Sequence, residues 1–278
     1  MDTLYNQSTF ECSKLITRLY STSFTLGIRT LDKRFHYPIY AIYGFVRYAD
    51  EIVDTFHEQD KKTLLEEFKA DTYQAIERGI SLNPVLHSFQ AVVNQYHIEK
   101  ELIDAFLKSM EMDLYKTDYN QSGYEEYIYG SAEVVGLMCL RVFCEGDAEA
   151  YDRLKAPARS LGSAFQKVNF LRDLKSDFAE RGRTYFPGVN FQQFTPDMKV
   201  WIEADIQKDF DHALEGIRQL PDGARMGVYL AYVYYIKLFK KIKKTPVHVI
   251  QHQRIRIPDG RKFTLLLQSY FKYRLNAI

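Results

Sequence analysis

In "NFLRDLKSD" (residues 169–177), Asn169, Asp173 and Asp177 recur at steps of four, with Arg172 between them. On a helix this spacing lines three oxygen-bearing side chains along one edge. Gln166 lies at the spacing that sets it beside Asn169. The interleaved Ala164, Phe165, Val168, Phe170 and Leu171 are small or apolar, which predicts a largely buried helix. Carboxylates on such a helix need a cation, because an unpaired buried charge costs several kcal/mol.

A second stretch, "YGFVRYADEIVD" (43–54), sets Tyr43, Arg47, Asp50 and Asp54 at steps of four, three and four. Alone it also suits a solvated charged edge, with Arg47 pairing Asp50. Facing the first stripe, it would complete a cage of hard oxygens. Mg²⁺ fits that chemistry: it takes one or two carboxylates, keeps waters, and fills its other positions with substrate phosphate oxygens. Mn²⁺ could take its place. Arg47 and Arg172 would complete an anion site from the side. The chain also holds 21 Tyr and 19 Phe, enough for a thick core or an apolar cavity. A metal–diphosphate site beside such a cavity suggests an isoprenoid substrate, whose allylic cation aromatic faces can stabilise.

Helices are expected to carry these residues throughout. Pro38 is read as the first helical residue of "HYPIYAIYGFVRYADEIVDTF", and Asn83 and Thr195 as caps before Pro84 and Pro196. Ser122 and Glu125 form a capping-box pattern ahead of "YIYGSAEVVGLMCLRVF". Only "HVIQHQRIRI" (248–257) alternates enough to suggest a short extended loop, and 180–196 reads as the longest irregular piece. No repeat or linker stands out, so one all-α domain over 1–278 is expected.

With 278 residues, 46% hydrophobic and 26% charged, the chain has the composition of a folded protein. A net charge of +1 provides no global field for nucleic acid, and no nucleic-acid partner is expected. Cys12, Cys139 and Cys144 form no CxxC pair and suggest reduced thiols. The longest apolar run, "MGVYLAYVYYI", is shorter than the roughly 20 residues a bilayer requires. A cytoplasmic protein is expected, with room for peripheral contact at the inner membrane face. "IKLFKKIKK" (236–244) suits either cations at a helix C-terminus or contact with anionic lipid, the former reading ahead.

The two acidic stretches resemble those of the squalene/phytoene synthase family, the head-to-head prenyltransferases. The family's DxxxD motif reads Asp50-Glu51-Ile52-Val53-Asp54, with Glu51 where many members carry Asp, and its QxxNxxRDxxxD motif matches Gln166, Asn169, Arg172, Asp173 and Asp177. "YSTSF" resembles the family's N-terminal diphosphate segment and picks out Ser21, Ser23 and Phe24. "YIYGSAEVVG" resembles the Tyr-x-x-Gly-x-Val-Gly region, with Tyr129 and Gly136, though Glu133 stands at a position usually small and neutral. "RTYFP" resembles a further signature holding Arg183 and Tyr185, and Arg261 weakly resembles a C-terminal basic residue. The likeness spans roughly residues 10–275.

The resemblance implies an isoprenoid-synthase-type helical bundle with a central apolar cavity. It assigns Asp50, Asp54, Asn169, Asp173 and Asp177 to metal. Tyr43, Arg47, Tyr129, Arg172 and Tyr185 become catalytic, while Ser21, Ser23, Phe24, Gln166, Arg183 and Arg261 become substrate-binding. Prenyl diphosphates are the implied partners. With no dinucleotide loop and no C-terminal membrane helix in "LQSYFKYRLNAI", a phytoene synthase using geranylgeranyl diphosphate and no NADPH is the first expectation. A dehydrosqualene or squalene synthase using farnesyl diphosphate is the alternative, and a membrane-associated all-α binding protein is the non-enzymatic one. Head-to-tail prenyltransferases and terpene cyclases use a DDxxD motif that the chain lacks.

Overall fold

Side-chain caps open most of the helices. Thr3 starts α1 (Leu4–Tyr20), Ser21 starts α2 (Thr22–Arg29), Asp32 starts α3 (Lys33–Asp54) and Asp60 starts α4 (Lys61–Arg78). Asn83 Oδ1 accepts from Val85 N at 3.0 Å to start α5 (Pro84–Tyr96), followed by α6 (Lys100–Tyr115). Next come α7 (Gln121–Ile128), a π-helical turn (Tyr129–Glu133), α8 (Val134–Cys144) and the long α9 (Ala148–Arg181). Thr195 caps α10 (Pro196–Gln219), which leads to α11 (Arg225–Lys244) and α12 (Val247–Ile250). The computed structural model describes residues 3–115, 118–181, 185–189 and 194–256, and the side chains of 176–181 lie outside that description. Among the described residues the fold is all-α, as the sequence predicts.

Three local expectations change. Asp32, not Pro38, marks the start of α3: its carboxylate accepts from Arg34 N at 3.2 Å, so Pro38 lies inside the helix. Asn120, not Ser122, caps α7, accepting from Gly123 N at 2.8 Å. The stretch 248–257, expected to be extended, begins inside the helical turn Val247–Ile250, with Val249 N and Ile250 N both bonded to Pro246 O. At α3 and α7 an earlier side-chain cap sets the start, and at 247–250 backbone hydrogen bonds outweigh the alternation.

The core is aromatic as well as aliphatic. Phe45 stacks face to face on Phe89 with centroids 3.9 Å apart, flanked by Phe68 and Phe106. Gln121–Cys144 is long and apolar enough to cross a membrane by length and composition, a stretch the run-length reading passed over. Here Val134, Leu137, Met138 and Val142 of α8 are fully buried, between α6, α9 and α3. Two glycines allow the π-turn to sit that deep. A Cβ on Gly130 would lie 2.4 Å from Ala105 O of α6, and one on Gly162 of α9 would lie 2.7 Å from Ala132 O. Only glycine admits such approaches from both sides.

Candidate active site

An apolar cavity of about 500 Å³ runs between α2, α3, α8, α9, α10 and α11. Its lining on α9 extends from Leu154 to Arg172. At 1.5 Å per residue those 18 steps span about 27 Å, the shape of a tunnel for a chain. Most of the wall is aliphatic or aromatic, including Ile39, Leu140, Phe143, Leu161 and Phe165. The polar groups gather towards the Arg172 end: Ser21, Ser23, Tyr43, Gln166, Asn169 and Tyr235.

On α3, the Arg47 guanidinium lies 3.4 Å from Asp50, bonds Glu51 and covers the Tyr20 ring at 4.5 Å. Burial would raise the Glu51 carboxyl, but hydrogen bonds from Arg47 and Thr55 hold it below its usual value. Arg47 Nε is buried with no hydrogen-bond partner among the described residues. One turn before, Tyr43 stacks on Phe24 at 4.9 Å. Burial pushes the Tyr43 hydroxyl up, against Arg47 and a hydrogen bond with Ser21. Ser21 has a second task, accepting from Phe24 N at 3.2 Å to cap α2.

On α9, Gln166 donates to Ser131 at 3.1 Å and accepts from Asn169 at 3.4 Å. Tyr235 of α11 donates to Asn169 Oδ1 at 3.2 Å and stacks on Phe165 at 3.9 Å. Burial raises the Tyr235 hydroxyl, opposed by nearby Arg172 and the Asn169 hydrogen bond. Arg172 grips its neighbour Asp173 through Nε at 3.0 Å and Nη2 at 2.5 Å. Arg254 reaches the same carboxylate at 2.7 Å. Burial works against the Arg172 charge, yet Asp173 holds its pKa above the ordinary value.

The structure therefore brings Ser21, Ser23, Phe24, Tyr43, Gln166, Asn169 and Arg172 to one cavity. Arg47, Asp50, Asp54 and Asp173 follow on the same two helices. Tyr129 and Tyr185 do not line it. Tyr129 opens the π-turn beneath the Arg159 guanidinium at 5.1 Å. Tyr185 is buried in an aromatic cluster, stacked on Phe170 at 4.0 Å and near Tyr119 and Tyr127. Glu133, the unusual residue of that region, turns to Arg159 at 2.6 Å, and burial raises its carboxyl despite that partner. Asp177 lies on α9 one turn beyond Asp173, but its side chain, Arg183 and Arg261 are outside the described residues. Ser131 and Phe165 were missed as site residues. Their polar or stacking partners come from other helices, which one-dimensional spacing does not reveal.

The donor set suits a hard divalent cation. Among the described residues no three His, Cys, Asp or Glu side chains converge as a ready metal centre. Mg²⁺ needs only one or two carboxylates, with phosphate and water completing its shell. Asp50 and Asp54 on α3, with Asn169 and Asp173 on α9, provide ligands of that kind. The unpartnered Arg47 Nε leaves a donor for an anion beside them.

Sequence comparisons show the family and structure comparisons the fold. The phytoene synthase of Arthrospira platensis is 26% identical, over 96% of this chain and 94% of the relative. The phytoene synthase of Rhodobacter capsulatus is 28% identical, over 93% and 79% respectively. In fold the chain is similar to a dehydrosqualene synthase crystal structure, with TM-score 0.81, 22% identity and 98% of each chain covered. A squalene synthase from Alicyclobacillus acidocaldarius gives TM-score 0.76 at 19% identity, over 87% of this chain and 95% of that one. The squalene/phytoene synthase family model matches residues 17–200, a span holding both acidic stretches and most of the cavity wall, and the chain belongs to that family.

Proposed function

We infer that this chain is a phytoene synthase-type enzyme that joins two geranylgeranyl diphosphates head to head, through a cyclopropyl diphosphate, to give phytoene and diphosphate. The observation that carries the reading is a single long apolar cavity whose polar end lies on the two helices bearing the acidic stretches. The curated relatives named phytoene synthase support the choice of substrate.

Mg²⁺ held by Asp50, Asp54, Asn169, Asp173 and Asp177 would neutralise charge on the leaving diphosphate. The Arg47 and Arg172 guanidiniums, with Arg254 on the Asp173 carboxylate that Arg172 also holds, offer planar donor forks that match phosphate oxygens. Ser21 and Ser23 add hydroxyls at the same end. Phe24, Tyr43, Phe165 and Tyr235 present ring faces to an allylic cation. The aliphatic wall keeps water from quenching that cation to an alcohol. Proton loss ends the sequence without a reductant.

The test is incubation of purified protein with Mg²⁺ and either geranylgeranyl or farnesyl diphosphate, followed by identification of the hydrocarbon. Phytoene from the longer substrate, formed without NADPH, is expected. A farnesyl-only product would reassign the enzyme to dehydrosqualene or, with NADPH dependence, squalene synthesis. No hydrocarbon from either would refute catalysis and leave the binding-protein reading.

A further inference from the structure

On the outer side of α2 and α3, away from the cavity lining, α1 joins them to form a second pocket of about 540 Å³. Lys14 and Arg18 of α1, Arg29 of α2, and Lys33 and His36 of α3 line it, with Tyr40. Lys14 is partly answered by Glu11 at 2.8 Å, and Glu11 also accepts from the Tyr37 hydroxyl at 2.5 Å. Arg18, Arg29 and Lys33 form no ion pair among the described residues. Cations gathered this way repel one another unless an anion joins them.

Tyr40 adds a hydroxyl donor to the same lining. It is only 3% exposed, yet its hydroxyl makes no hydrogen bond among the described residues. Burial raises the pKa of this hydroxyl, while Lys14, Arg29 and Arg18 pull it down, so those cations act on the same oxygen. An acceptor-rich anion would answer this lining, since phosphate oxygens match guanidinium forks and a phenol donor at once. Leu15 and Leu19, next in sequence to Lys14 and Arg18 on α1, stand 55% and 74% exposed.

We propose that this pocket is a second anion site, distinct from the cavity, which takes a phosphate-bearing anion. Free diphosphate and the headgroup of an anionic lipid share that chemistry, the exposed leucines serving the acyl region in the second case. The site and the cavity share α2 and α3 as walls: Ser21, Ser23, Phe24 and Tyr43 face inward, and Thr25, Arg29, His36 and Tyr40 face outward. The proposal does not depend on which prenyl diphosphate the cavity accepts.

Two binding arms separate the sources. Calorimetry with inorganic diphosphate in EDTA suppresses metal-dependent binding at the cavity, and sedimentation compares phosphatidylglycerol with phosphatidylcholine vesicles. Each arm uses the wild type, an R18Q/R29Q/K33Q variant, Tyr40→Phe, and a K62Q/K69Q/R78Q control that changes charge equally on exposed α4 positions. In at least one arm the pocket variant should lose about tenfold or more in affinity and Tyr40→Phe a smaller factor, while the control binds as the wild type does. Loss in the diphosphate arm alone assigns a free phosphate ligand, and loss in the vesicle arm alone assigns a headgroup. Circular dichroism confirms unchanged helix content. Absence of binding in both arms, or equal binding by the pocket and control variants, overturns the proposal.

Discussion

Asp173→Asn separates the structural and chemical duties of one carboxylate. In the structure that carboxylate answers two guanidiniums, Arg172 at 2.5 Å and Arg254 at 2.7 Å. Removing one partner of a fully buried pair costs about 3–5 kcal/mol, whereas an exposed pair is worth about 0–1 kcal/mol. Arg172 and Asp173 side chains are 20% and 17% exposed, and asparagine keeps one acceptor oxygen. The cost should therefore fall near 1–2 kcal/mol. For a chain of this size that lowers Tm by about 2–6 °C without unfolding the protein at 25 °C. Turnover should fall much further, by about 100-fold or more, since the variant weakens electrostatic stabilisation of the leaving diphosphate. The assay is diphosphate release at saturating Mg²⁺, beside a thermal melt. A tenfold loss or less, with the expected change in Tm, would refute a role for Asp173 at the reacting diphosphate. A large loss of helix content would refute the energetic estimate instead.

Tyr235→Phe removes the donor to Asn169 but keeps the stack on Phe165, so stability should change by about 0.5–1.5 kcal/mol. A Mg²⁺ titration of turnover should shift to higher concentration, and an unchanged titration would count against Asn169 as a ligand. Glu51 has a folded pKa below its ordinary 4.5, so its stabilising effect is complete above about pH 4.5 and is lost as pH falls through the folded value. The Tm advantage of wild type over Glu51→Gln should accordingly be flat near neutrality and shrink in acid; an advantage that grows in acid would contradict the assignment. Leu154→Phe narrows the cavity at the end remote from Arg172. Relative turnover of geranylgeranyl diphosphate should drop more than that of farnesyl diphosphate, as measured by competing the two substrates.

Much of the site was legible because helical periodicity is a local property. Steps of three and four put Tyr43, Arg47, Asp50 and Asp54 together on α3, and Gln166, Asn169, Arg172 and Asp173 together on α9, before any tertiary contact is known. The expected Arg47–Asp50 pair forms, as does the expected closeness of Gln166 and Asn169. Tertiary partners were harder to read. Nothing in the spacing of "VYLAYVYYI" separates Tyr235, which reaches Asn169, from Tyr232, which packs edge-on against Phe210 in the core. Arg254, about eighty residues from Asp173 in sequence, reads equally well as surface until the two are seen in contact. The π-turn is no more legible: Gly130 and Gly162 let α6 and α9 approach it closely, contacts its own spacing does not reveal.

The charges of the two acidic stretches are balanced internally, and that balance bears on how a ligand would bind. Arg47 answers Asp50 and Glu51, while Arg172 and Arg254 answer Asp173. Left unpaired, any of these groups would face the penalty of a half-buried lone charge. A ligand bringing both divalent cation and diphosphate can exchange partners without stranding one: carboxylates turn to metal as guanidiniums turn to phosphate. Metal alone would have to displace arginines from the carboxylates, and diphosphate alone would have to draw arginines away from them. Binding of the two should therefore be cooperative, each tightening the other by a common factor, as linkage requires. Calorimetric titration of Mg²⁺ with and without a non-reactive prenyl diphosphate analogue measures that factor. Equal Mg²⁺ affinity in both titrations would show that the arginine–carboxylate pairs are structural and are not exchanged on binding.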